Sequence, residues 1–174
     1  LDDVSLADMV HPTPLPAEYS DASRKAYAAG LKEARELIAQ KRYDAAIARL
    51  DALSRERPRE PQARFLKSVA QSEAGRPDDA VATLTALAAD FPELPEVHNN
   101  LAVLYAARGS LELAKAELEL AIAASPDYAP AVENLGDVYA RLAARHYERA
   151  AALEKGKGLA PAKLKLVRDA LAVR

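Results

Sequence analysis

Few kinds of side chain in this sequence are placed to do chemistry. His11, His98 and His146 are not at metal-ligand spacing with one another. No HExxH pair, Walker-type phosphate loop, GxSxG elbow or GxGxxG turn occurs. Cysteine is absent, which removes thiol catalysis, disulfides and thiolate zinc sites. Two other patterns remain. Asn100 and Asn134 each precede a Leu in apolar, tyrosine-containing runs at 98–109 and 132–143. Asn is a poor helix former, because its amide competes for backbone hydrogen bonds. That amide can also donate to a peptide carbonyl and accept from its N–H, so it can hold a partner's backbone without reading side chains. Arg141, Arg145 and Arg149 are spaced by four and fall on one helix face, where a solvated charged surface is the simplest reading. No catalytic residue, metal or cofactor is expected.

The 34-residue interval between the two Asn residues recurs throughout the chain. Pro58, Pro92 and Pro126 repeat it, as do Ala46, Ala80 and Ala114, and Leu50, Leu84 and Leu118. Gly75 and Gly109, Leu101 and Leu135, and Tyr105 and Tyr139 keep the same interval. A period of this length is that of a helix–turn–helix unit stacked in a row. Pro95 suits a first helical turn, since its missing N–H had no intrahelical partner. Leu101, Leu104 and Tyr105 then share one face. Gly109 ends the helix, and Ser110 is placed to cap the next one over 111–124. Ala114 lets the paired helices approach closely while Leu118 fills the space beside it. A single unit cannot bury both of its faces, so stacking is obligatory.

Composition agrees with a helical array. Half of the 174 residues are hydrophobic but only 5% are aromatic, a balance that favours closely packed helices over strands. Formal net charge is −2, which gives no electrostatic signature of nucleic-acid binding, and no apolar run is long enough to span a membrane. The charge is unevenly spread. Residues 1–23 carry five carboxylates and no Lys or Arg, whereas residues 155–174 carry six cations against Asp169.

These residues resemble the tetratricopeptide repeat (TPR) family. His98, Leu101, Ala102, Tyr105, Ala114, Leu118 and Pro126 match its pattern in one unit, and Val132, Leu135, Gly136 and Tyr139 match it in the next. Units of about 27–60, 61–94, 95–128 and 129–162 follow, the first two matching less well. The resemblance implies an all-α, right-handed superhelix of about four helix pairs, and 163–174 reads as a polar-backed capping helix. The fourth unit has no Gly between its helices, so its first helix is expected to run on, with a displaced second helix. The 34-residue runs also resemble small exported proteobacterial members of the family. Together with a start at Leu1, this gives a periplasmic expectation, with a cytoplasmic location as the alternative.

The resemblance further implies a concave groove lined by the first helix of each pair and receiving a peptide or helix of a protein partner. Its positions fall on Leu31 and Arg35, Phe65 and Val69, Asn99 and Val103, and Glu133 and Asp137. Asn100 and Asn134 fall where some arrays hold a partner's backbone, off the packing face. Phe65 can be read as a groove anchor or as core between repeats. With Glu133 and Asp137 in the fourth unit, a partner carrying a basic residue at that end is expected, rather than a clamp for a terminal carboxylate. The proline-rich acidic leader, residues 1–19, reads as extended or flexible until Ser20 or Asp21 caps the first helix. Its acidity against the basic end raises a second reading, a subunit that self-associates through those two regions.

Overall fold

Proline at helix starts and a left-handed residue at the turns divide the chain at regular intervals. The computed structural model describes residues 20–173, so the leader at 1–19 lies outside the described residues. Among the described residues there are eight helices and no strand: α1 (Asp21–Ala39), α2 (Tyr43–Glu56), α3 (Pro61–Glu73), α4 (Pro77–Asp90), α5 (Pro95–Ala107), α6 (Leu111–Ala124), α7 (Ala129–Leu153) and α8 (Ala160–Leu171). Pro61, Pro77 and Pro95 occupy first-turn positions, where the lost N–H costs nothing. Ser20 caps α1, its hydroxyl accepting the Ser23 N–H at 3.2 Å. Ser110 stands at the start of α6 but makes no such side-chain bond, contrary to the expectation from its type.

The turns inside the first three units keep the 34-residue interval. Lys41, Gly75 and Gly109 all adopt positive φ, at 59°, 73° and 78°. The next position in that series is Ala143, and it is helical. An L-residue resists the left-handed region, so α7 continues for 25 residues until Lys155 and Gly156 turn it, at φ 51° and 75°. The fourth unit is therefore a hairpin of α7 and α8. Its separate second helix is missing, and the helix expected as a cap folds back on the far half of α7. Arg168 bonds Glu148 at 2.6 Å, and the Lys163 ammonium lies 5.8 Å from the Tyr147 ring centre.

Packing follows the alternation of small and large residues. Ala46, Ala80 and Ala114 are fully buried, and Leu50, Leu84 and Leu118 are buried beside them. Each such Leu contributes roughly 1.5–3 kcal/mol. Side-chain pairs tie the two helices of a unit together: Glu33 to Arg49 at 2.8 Å, Gln71 to Thr83 at 2.8 Å, and His98 to Glu117 at 2.8 Å. Successive units are linked at the surface. Asp44, Asp78 and Glu112, again 34 apart, reach Arg76 at 3.6 Å, Arg108 at 2.6 Å and Arg145 at 3.7 Å. Exposed pairs of this kind are worth roughly 0–1 kcal/mol each, so they favour a register more than they stabilise it.

The first unit has a polar core of its own. Arg57 is fully buried, donates to the Ser23 hydroxyl at 2.6 Å and lies 4.8 Å from the Tyr27 ring centre. Burial, with the charge of Glu60 second, raises the Tyr27 hydroxyl to a pKa of about 12. Burial also raises Glu60, against the opposing pull of Arg57.

Lys41 is the unit-one counterpart of two glycines, and its backbone conformation is the one glycine tolerates. Left-handed backbone costs an L-residue roughly 1–2 kcal/mol, and glycine's extra unfolded-state freedom returns about half of that. Lys41→Gly is accordingly expected to raise stability by about 0.5–1 kcal/mol, read as a higher urea midpoint at unchanged slope.

Candidate peptide-binding groove

The first helices α1, α3, α5 and α7 carry the stripe anticipated as a groove, and the structure sorts its members by accessibility. Arg35, Val103 and Asp137 are half-buried and Glu133 is exposed, so these four present side-chain surface. Arg35, Val69, Val103 and Asp137 are 34 apart and give one position per first helix, running cation, apolar, apolar, anion. Val69 is nearly covered but borders a small depression with Ser68, Ser72, Asn100, Val103 and Leu104. The Nε of Arg35 is buried and has no hydrogen-bond partner among the described residues.

The other candidates face inward. Phe65 is fully buried with Leu84, Leu87, Val97 and Leu101, which makes it core between the second and third units, one of its two readings from sequence. Leu31 is core between α1 and its neighbours. Asn99 and Asn134 are also buried: the Asn134 amide donates to the Asn99 carbonyl oxygen at 2.9 Å, across α5 and α7. The expectation that Asn100 and Asn134 stand off the packing face is thus corrected. Their place in the repeat points back at the preceding first helix. Leu66 holds the same place in α3 and packs with Tyr27, Leu31 and Ala34 of α1. In the later units this place holds an amide, which meets another amide and so keeps its polar atoms satisfied.

His98 sits where the family carries an aromatic residue, and it too is internal. Its Nδ1 is 2.8 Å from a Glu117 carboxylate oxygen and its Nε2 is 3.2 Å from the Pro92 carbonyl oxygen. Both partners are acceptors, so the doubly protonated ring satisfies both. The hydrogen bond to Glu117 raises its pKa above the usual 6.5, burial opposes this, and the Pro92 carbonyl adds to the rise.

Loss of the fourth second helix leaves a mark on α7. His98 and Ala102 of α5 are buried, but their counterparts Val132 and Gly136 are exposed. Val132 and Tyr139 are each 50% exposed, with the Lys115 ammonium 5.9 Å from the Tyr139 ring centre. Sequence reasoning also missed a basic cleft of about 320 Å³. Ala106, Gly109, Leu111, Arg141, Ala144, Arg145, Glu148, Arg168 and Leu171 line it. The four-residue arginine spacing was visible. The return of α8 that brings Arg168 alongside was not.

Among the described residues, no group of three His, Asp or Glu side chains is placed to hold a metal ion, and no helix is long and apolar enough to cross a membrane. What the described residues form is a scaffold of stacked helix pairs, with side-chain surface at Arg35, Val103, Glu133 and Asp137 on three of its first helices. The tetratricopeptide repeat profile matches residues 37–104 and 71–142, and the chain belongs to that family. No curated protein sequence is matched. Solved structures of similar fold include a thermophilic TPR protein of Thermus thermophilus, 25% identical, with a TM-score of 0.60 over 84% of this chain and 83% of that one. The first TPR of Spaghetti (RPAP3), bound to an HSP90 peptide, is 18% identical with a TM-score of 0.60 over 67% and 93%. The Yersinia enterocolitica type III secretion chaperone SycD, in complex with a peptide of the translocator YopD, is 15% identical with a TM-score of 0.61 over 70% and 98%.

Two outcomes are expected. Asn134→Ala strands the Asn99 carbonyl oxygen and should cost about 1–3 kcal/mol. In a double-mutant cycle, adding Asn99→Ala should cost less than the sum, whereas additive losses would mean that the pair does not couple. For His98 the folded pKa lies above the unfolded one, so its stabilisation is complete below about pH 6.5 and is lost as pH rises through the folded value. Between pH 5.5 and 8.5, the wild type should lose more stability in urea titrations than His98→Gln. Parallel profiles would remove this linkage.

Proposed function

We propose that the protein is an interaction module whose concave face holds an extended segment of a protein partner. The observation that carries this is the stripe of Arg35, Val69, Val103 and Asp137, one side chain per first helix, with Glu133 beside its anionic end. Two proteins of the same fold hold peptides, an HSP90 peptide in one and a translocator peptide in the other, which supports the same use here.

The stripe also proposes the chemistry of the segment. Neighbouring first helices lie about 8–10 Å apart, which is roughly three residues of extended chain. A matching partner carries an acidic residue for Arg35 and, about nine residues away, a basic residue for Glu133 and Asp137. Between them it presents an apolar side chain to Val103, beside the nearly covered Val69. Pairs at the two ends fix direction and selectivity, and the apolar middle supplies most of the affinity. The stripe offers no constellation of nucleophile and base, so binding is the reading it supports.

Selection of 15-residue peptides from a displayed library tests both parts. Enriched sequences should share the acidic–apolar–basic order, and Glu133→Lys with Asp137→Lys should weaken their binding at least tenfold while leaving the melting temperature unchanged. If the paired variant loses its fold, exposed Glu133→Lys alone carries the test. Peptides without that order, or with affinity indifferent to position 133, would take the groove out of consideration.

A further inference from the structure

The cleft between the α5–α6 turn, α7 and α8 is a basic concavity that begins at Arg141, one helical turn beyond Asp137. Three guanidinium groups, Arg141, Arg145 and Arg168, line it against one carboxylate, Glu148, with Ala106, Leu111 and Leu171 supplying apolar wall. None of the three is used up. Arg141 donates to the Ala106 carbonyl at 3.4 Å, Arg145 to the Gly109 carbonyl with Glu112 3.7 Å away, and Arg168 to Glu148 at 2.6 Å. A guanidinium has five N–H donors in a planar fork suited to carboxylates, so each retains donors for an incoming acceptor.

We infer that this cleft seats the start of the chain's own acidic N-terminal segment, residues 1–6, from the same molecule. That segment reads LDDVSL, with two aspartates, no Lys or Arg, and Leu1, Val4 and Leu6 among them. Its carboxylates complement the arginines, and its apolar residues complement the cleft wall. Reach is sufficient. The direct line from the start of α1 to α7 combines three helix spacings of up to about 10 Å with, at right angles to them, one α1 length of about 28 Å, which makes about 40 Å. Asp3 lies 17 residues before Ser20, a run of about 55 Å when extended. The contrast between an acidic start and a basic end thereby acquires an address. It is the arginine cleft, not the outer face of α8, where Lys165 already bonds Asp169 at 2.6 Å. This inference does not rest on the groove reading.

The chain has no cysteine, so Ser5→Cys carries a single nitroxide label on the full-length protein. At low ionic strength the amide signals of Gly109, Arg145 and Leu171 should lose at least half of their intensity to the label, and those of α2 and α4 should be unaffected. The loss should disappear at 0.5 M salt and in Asp2→Asn, Asp3→Asn, Asp8→Asn, a variant that leaves the helical array untouched. Arg145→Gln with Arg168→Gln should abolish it as well. Absence of broadening, broadening spread evenly over the helices, or broadening indifferent to salt would overturn the inference. So would broadening in a mixture of unlabelled 15N chains with spin-labelled 14N chains, because the segment would then come from a second copy.

Discussion

The structure depends on how closely the two helices of a unit can approach. Ala46, Ala80 and Ala114 have no accessible surface, so a side chain longer than one carbon has no room at these places without displacing its neighbours. Close approach at the alanines sets where Leu50, Leu84 and Leu118 fall, and these set the seat for the next first helix. Every contact farther along the array inherits this spacing. The surface pairs from Asp44, Asp78 and Glu112 to the following unit keep the same interval and penalise a slipped register without adding much energy.

Polar groups inside the array obey the same geometry. Where two first helices meet, the third and fourth units use an amide pair, Asn99 and Asn134, and the first and second use Leu66 against α1. One structural position is filled in one place by hydrogen bonding and in another by hydrophobic contact. His98 is a comparable exchange, a titratable ring in a place the family gives to an aromatic, made tolerable by Glu117 and the Pro92 carbonyl. The module's interior is therefore more polar near its middle than the composition suggests.

Much of the architecture was legible because it is written in backbone chemistry. Prolines at helix starts, glycines at turns and the alanine–leucine alternation each have one physical reading, and their common period makes them agree. The run-on of α7 was visible as a missing glycine. The direction in which side chains leave a first helix was harder to read. Asn100 and Asn134 read as groove residues because Asn is polar, but position in the repeat outranks polarity when a partner amide is available. Arg57 gave no signal, since only the fold brings Ser23 and Tyr27 to it. The arginine cleft joins residues about 30 and 60 positions apart through a helix whose return path no local pattern announces.

The helical residue at Ala143 bears on assembly. A stack of identical units presents unlike but complementary surfaces at its two ends, and such surfaces can join copies head to tail without a geometric limit. Continuing one helix through the position of a turn breaks the translational symmetry at that end. The α7–α8 hairpin stands where a helix pair of the regular kind would, and it leaves Leu153, Leu159 and Leu166 exposed. One backbone torsion that never flips sign thus ends the run of like units at this point.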